Sequence, residues 1–206
     1  MNNLLIHRWI VLLGLLISVT ACGGVEVVEI PATGDIVAEN YDLVGFNEVE
    51  IVGFFEAEVT QGEDFKVLVE AERALIPYLE IRVRGSRLFV GLKSDVQFNF
   101  EDASQRVELT LPALVFARIG NHSDLHLTSF EATEMLRLEV VDFSTLGGSV
   151  EAKKIQVEVS DHSSLTLAGS ASQVMGDVSD FSSADLNRLD VAEVELEVDG
   201  KSTFKQ

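Results

Sequence analysis

The chain has little cysteine, little proline and few bases: one Cys, three Pro, and 15 Lys plus Arg against 34 Asp plus Glu in 206 residues. A single cysteine cannot close an intramolecular disulfide or build a Cys-rich zinc site, so neither holds the fold. The formal charge of −19 excludes nucleic acid as a partner, because gripping a phosphate backbone needs clustered Lys and Arg. It also excludes docking onto anionic lipid by charge alone. There is no His-Glu-x-x-His, no Walker loop, no Gly-x-Ser-x-Gly and no Cys/His pair, so no standard hydrolytic or nucleotide-binding machinery is signalled. What remains is ample apolar material, 47% of residues, enough for one or two domains with real cores.

The lone cysteine has a context. Arg8 precedes an apolar run from Trp9 to Val19, followed by Thr20-Ala21-Cys22-Gly23-Gly24. The run is too short to span a bilayer, which takes about 20 residues, and reads as a signal peptide over 1–21. Val19-Thr20-Ala21-Cys22 resembles the lipobox of bacterial lipoproteins. That resemblance implies that Cys22 carries the lipid and becomes the first mature residue, and Gly23 after it implies the outer membrane. Acyl chains then supply the membrane partner that an acidic body cannot hold by charge. Residues 22–40 read as an acidic tether with Pro31 and Gly34.

Residues 41–112 alternate apolar and polar over short runs separated by turn signals, the pattern of an antiparallel or mixed β region. Strands are expected at 47–52, 55–60, 65–71, 79–84, 87–92 and 106–111, with a helical turn at most within Glu72 to Tyr78 and a polar loop over 94–105.

From 113 to 206 the sequence repeats. Segments starting at Val115, Leu136, Ile155, Val174 and Val194 align, with apolar or small residues at the first, third and fifth positions. The ninth position is serine each time: Ser123, Ser144, Ser163, Ser182 and Ser202. A unit of about 20 residues with period-two alternation cannot bury its own face, whereas stacked units can. The expectation is a parallel β-solenoid whose equivalent residues lie about 4.8 Å apart, with the serines as a structural ladder. Five equivalent hydroxyls are a pattern of repetition, whereas a catalytic serine needs one distinct hydroxyl beside a base.

The register sorts the remaining polar residues. Arg118, Glu139, Glu158, Asp177 and Glu197 share the fourth position, and Asn121, Asp142, Asp161, Asp180 and Gly200 the seventh. Two carboxylate rows are expected, serving as solvated faces that keep a stacked sheet soluble. The alternative for Asp142, Asp161 and Asp180 is Ca²⁺, a hard cation that takes carboxylate and carbonyl oxygen. No other cofactor is indicated. His122, Phe143, His162, Phe181 and Lys201 share the eighth position, where a stack of aromatic rings is expected as well as the best contact surface for a ligand.

These features together resemble the family of putative auto-transporter adhesins with a head GIN domain, from about Ala38 onward. The resemblance is carried by Gly45-Phe46, Gln61-Gly62, Leu88-Phe89-Val90, Leu109-Thr110-Leu111-Pro112 and the repeats. Val159-Ser160-Asp161-His162-Ser163-Ser164 stands where the family shows Val-Ser-Gly-Ala-Ser, so the turn is bulkier here. The resemblance implies a lipid-anchored β-helical protein of a bacterial envelope, with an adhesive, glycan-binding, protein-binding or scaffolding role. Two alternatives stand beside it: a polysaccharide lyase or hydrolase, drawing on Arg118, Arg137 and Arg188 or on Asp142 with Asp161, and a Ca²⁺-stabilised structural module.

Overall fold

The computed structural model describes residues 26–100 and 105–206. The stretch expected to be a signal peptide, 1–21, and Cys22, the expected lipidation residue, lie outside the described residues.

The fold is all-β. Fifteen strands are described: β1 (Glu26–Ile30), β2 (Ile36–Asn40), β3 (Glu48–Val52), β4 (Glu56–Gln61), β5 (Lys66–Glu72), β6 (Leu79–Arg84), β7 (Arg87–Leu92), β8 (Val96–Phe100), β9 (Gln105–Leu111), β10 (Phe116–Gly120), β11 (Asp124–Val140), β12 (Thr145–Val159), β13 (Ser164–Val178), β14 (Ser183–Val198) and β15 (Thr203–Lys205). A 3₁₀ turn at Ile76–Tyr78 falls within the stretch expected to hold a helical turn.

Thirteen strands form one curled mixed sheet, and β1 with β8 form a separate parallel pair. This is less regular than a stack of solenoid rungs. Antiparallel pairs β2–β5, β5–β9 and β6–β7 are built into the same sheet. Strands β11 to β14 run 15 to 17 residues each, bending at register shifts such as Leu127/Phe130 and Thr166/Ala168. The N-terminal strands also enter the parallel stack: β3 lies beside β10, and β4 beside β11.

Two sequence expectations are corrected. The stretch taken as a tether carries β1 and β2, with β2 paired to β5. The polar loop expected over 94–105 contains β8, whose Val96, Phe98 and Phe100 alternate with Gln97 and Asn99. Phe98 packs with Val28, Tyr78 and Leu92 around the buried Ile30, Ala71 and Leu75. Sequestering those side chains from water favours strand over loop, at roughly 1.5–3 kcal/mol for each large side chain fully buried.

Within the C-terminal half the parallel register agrees with the repeat in the sequence. Leu136 sits beside Ile155, Ile155 beside Val174, and Val174 beside Val194. Inward Leu138, Val140, Val157, Val159 and Val178 are fully or almost fully buried and fill the concave side. Gly176 takes an inward position for a steric reason. Its φ is +137°, and a Cβ there would stand 1.8 Å from the carbonyl oxygen of Val157.

Candidate functional site

One corner of the curled sheet repeats in five successive parallel layers, and each layer turns it with two consecutive residues at positive φ: Asn121-His122, Asp142-Phe143, Asp161-His162, Asp180-Phe181 and Gly200-Lys201. Left-handed backbone costs an L-residue about 1–2 kcal/mol, less for Asn and Asp and nothing for Gly, which explains the first member of each pair. The second member is bulky, and what offsets its strain is contact between layers. The His122 N–H donates to Asp142 O, Phe143 to Asp161 O, His162 to Asp180 O and Phe181 to Gly200 O, each at 2.9–3.0 Å.

The side chains of those second members stack. The rings of His122 and Phe143 lie 5.1 Å apart, Phe143 and His162 4.9 Å, His162 and Phe181 5.0 Å, all within 13° of parallel. Lys201 Nζ lies 5.5 Å over the Phe181 ring. The stack continues at the other end onto Phe54, 5.2 Å from His122 and 9° from parallel. Phe54 is the residue that the sequence reading missed. Its layer comes from far earlier in the chain, but Gly53-Phe54-Phe55 followed by alternating Glu56-Ala57-Glu58-Val59 has the form of the later corners. Ring-to-ring steps of 4.9–5.2 Å carry the stack unbroken from Phe54 to Phe181 along the corner. It remains in contact with solvent, Phe143 being 55% and Phe181 56% exposed.

Directly behind the rings runs the serine ladder. Ser123, Ser144, Ser163 and Ser182 are each at most 2% exposed. Every hydroxyl oxygen accepts a backbone N–H from the preceding layer: Phe55 to Ser123 (3.1 Å), Ser123 to Ser144 (3.2 Å), Ser144 to Ser163 (3.2 Å), Ser163 to Ser182 (3.0 Å) and Ser182 to Ser202 (3.1 Å). A left-handed corner aims its following N–H inward, where no strand partner meets it, and serine supplies the acceptor. The hydroxyls therefore bond to backbone, not to one another.

Asp142, Asp161 and Asp180 are exposed beside the rings. Ser160 Oγ donates to Asp161 at 3.1 Å and Ser179 Oγ to Asp180 at 3.3 Å. They form a row, not a cluster. Among the described residues, no group of three or more His, Cys, Asp or Glu side chains is placed to hold a metal ion.

The other expected carboxylate row is broken. Glu139 is 8% exposed, held by Arg118 at 2.9 Å and Arg137 at 2.5 Å. Arg137 reaches on to Glu158 at 3.6 Å, and Arg118 to Glu50 at 3.9 Å. Solvated acid therefore begins only at Glu158 and continues through Asp177 and Glu197. Further toward β6, Glu48 is held below the usual carboxylate range by the Ser86 hydroxyl and by Arg87. At the Phe54 end of the ring stack lies a cavity of about 490 Å³, mostly apolar, lined by Phe89, Leu92, Val96 and Phe98 with Lys93 at its edge.

The described residues thus form an all-β body with an exposed aromatic corner. Residues 45–205 match the model of the family described as putative auto-transporter adhesin, head GIN domain, and the chain belongs to that family. No curated protein matches the chain. Among solved structures, a putative adhesin from Parabacteroides distasonis is similar at TM-score 0.62 and 18% identity, with 85% of this chain and 83% of that one covered. A putative lipid binding protein from the same species is similar at TM-score 0.56 and 9% identity, over 86% of this chain and 98% of that one. A putative adhesin from Bacteroides fragilis follows at TM-score 0.53 and 13% identity, over 85% and 99%. At these identities the structures support the fold alone. Among the described residues, no helix is long and apolar enough to cross a membrane.

Proposed function

We propose that the chain is a lipid-anchored envelope protein, held in the outer membrane through Cys22, whose stacked corner binds a neutral glycan chain. On this reading the parallel layers β10 to β15 act as turns of a β-solenoid that set the spacing of the corner. The observation that carries it is the exposed row itself: rings recur from His122 to Phe181 at 4.9–5.1 Å, with imidazoles in alternate layers and carboxylates at Asp142, Asp161 and Asp180 beside them. The ring faces are consumed by the stack, so sugars would meet edges, not faces. Asp142, Asp161 and Asp180 accept from sugar hydroxyls, His122 and His162 donate or accept, and the Phe edges cover C–H surface. The net negative charge disfavours a polyanionic polymer.

Supporting interaction over catalysis, every ladder serine hydroxyl is committed to a backbone N–H, and Arg118 and Arg137 are committed to carboxylates. A second reading, an apolar ligand such as an acyl chain, draws on the cavity at the Phe54 end and on the name of one structural neighbour. Intact-mass analysis of the membrane fraction tests the anchor: an acyl adduct on the mature chain, lost in Cys22→Ser, is expected, and an unmodified Cys22 overturns it. Screening neutral and acidic glycans beside a fluorescent fatty acid tests the ligand. Retention on neutral glycans supports the primary reading, and saturable fatty-acid binding without glycan binding replaces it with the second.

A further inference from the structure

The outermost strands of one face of the sheet carry opposite charge. That face runs β6, β7, β3, β10 and then the C-terminal halves of β11, β12, β13 and β14. Among the described residues, β6 pairs only with β7, and Val194–Val198 of β14 pair only with β13, since β15 covers no more than Ser183 to Asp185. Each end therefore presents a row of unpaired backbone N–H and C=O groups.

On β6 the inward residues are Leu79, Ile81 and Val83, which pack on the core, and the outward ones are Glu80, Arg82 and Arg84. Arg82 rests over the Phe89 ring and pairs with Glu80, while Arg84 is exposed and has no ion-pair partner among the described residues. On β14 the inward residues Val194 and Leu196 pack on the core, Val198 is 44% exposed, and the outward Glu195 and Glu197 are exposed. Glu197 stands beside Asp177 of β13, so negative charge accumulates at this end.

We infer that the two ends are complementary halves of one interface, through which β6 of one copy adds antiparallel to Val194–Val198 of β14 in a second copy. The direction follows from the topology, because β7 runs parallel to β3, β10 and the later strands, and β6 runs against it. One register satisfies both faces. Glu195 meets Arg84, Glu197 meets Arg82, Leu196 meets Val83 and Val198 meets Ile81. A slip of one residue would turn apolar side chains outward; a slip of two sets Glu197 against Glu80 in one direction, and in the other carries Glu195 past the end of β6 and leaves Arg82 unmatched.

The same charges disfavour the symmetric alternatives. Pairing β14 with β14 juxtaposes Glu195 and Glu197 with acids in every register, and pairing β6 with β6 either leaves Arg84 without a carboxylate or sets Arg82 against itself or against Arg84. The contact is therefore head-to-tail, and it propagates into a row of copies where a two-fold contact would close. In such a row the aromatic corners of successive copies would recur along one assembly, giving a weak single-copy contact the strength of many.

Sedimentation velocity on the mature chain, from residue 22 onward, tests this, with Cys22→Ser in every arm so that neither acyl chains nor the apolar leader can drive association. Species beyond the dimer that grow with concentration and recede between roughly 50 and 500 mM salt are expected. Arg82→Glu/Arg84→Glu and Glu195→Lys/Glu197→Lys should each sediment as monomers with unchanged β circular dichroism. An equimolar mixture of the two should reassociate, because each then offers the other its complement. If a double variant loses its β spectrum, the exposed single changes Arg84→Glu and Glu197→Lys are read in its place. A parent chain that is monomeric at every concentration, a closed dimer, assembly that survives either reversal, or a mixture that stays monomeric each overturns the inference.

Discussion

The serine ladder makes a quantitative demand on stability. In Ser163→Ala the Ser144 N–H loses its acceptor, at a position where Ser144 and Ser163 are each 1% exposed and water cannot substitute. An unsatisfied buried donor costs about 1–3 kcal/mol. For a chain of this size each kcal/mol moves the melting midpoint by about 2–4 °C, so a fall of roughly 2–12 °C is expected. Ser202→Ala provides the internal control. The Ser182 N–H that Ser202 serves also reaches the Ser179 carbonyl oxygen at 3.2 Å and keeps that acceptor, so the loss should be under about 1 kcal/mol. Far-UV circular dichroism during thermal and urea unfolding measures both. If Ser163→Ala melts with the parent, or if Ser202→Ala costs as much as Ser163→Ala, the ladder does not hold the layers together and the reasoning is refuted.

Other outcomes follow from the same geometry. Gly176→Ala must displace the Val157 carbonyl, which its Cβ would approach to 1.8 Å, and should lose more stability than any of the serine variants in the same urea titration. Glu139→Gln leaves Arg118 and Arg137 facing a neutral amide and should cost about 1–3 kcal/mol, while Glu158→Gln, on an exposed carboxylate, should be near neutral in the same assay. The Tyr41 phenol is pushed up to about 12 by burial and by its hydrogen bond to Glu39. The folded state therefore holds its proton longer than the unfolded chain, whose phenol titrates near 10, and this contribution to stability is lost as pH rises from about 10 to 12. Ultraviolet titration should show one tyrosine ionising late, and Glu39→Gln should move its midpoint back toward 10.

Much of the corner was legible in the sequence because repetition exposes itself. Five serines at one register position, four of them preceded by a ring and an acid or amide, define the ladder and the ring stack without coordinates. Phe54 escaped because its layer lies outside the repeat in sequence and has Phe55 where the others have serine; Phe55 donates its own N–H to Ser123 instead. Strand β8 was present as strict alternation of Val96, Phe98 and Phe100 with Gln97 and Asn99, but the polar members outweighed the period. Glu139 reads as one more solvated acid in its row, and only the convergence of Arg118 from the layer before and Arg137 from its own strand makes it buried and paired. The joining of the N-terminal strands to the later parallel layers was the least legible. Pairing of β3 with β10 and of β4 with β11 joins segments far apart in the chain, and no local pattern records a contact at that range.

The claim most open to direct test is that the aromatic corner is the contact surface. The parent chain and a variant with His122, Phe143, His162 and Phe181 all replaced by Ala should be compared on immobilised neutral glycans, after circular dichroism confirms an intact β spectrum. Stacked aromatic pairs contribute about 0.5–1.5 kcal/mol each, so some loss of stability is expected in the variant but not loss of the fold. Binding by the parent that disappears in the folded variant is the predicted result. Equal binding by both contradicts the account and moves the contact surface elsewhere on the molecule.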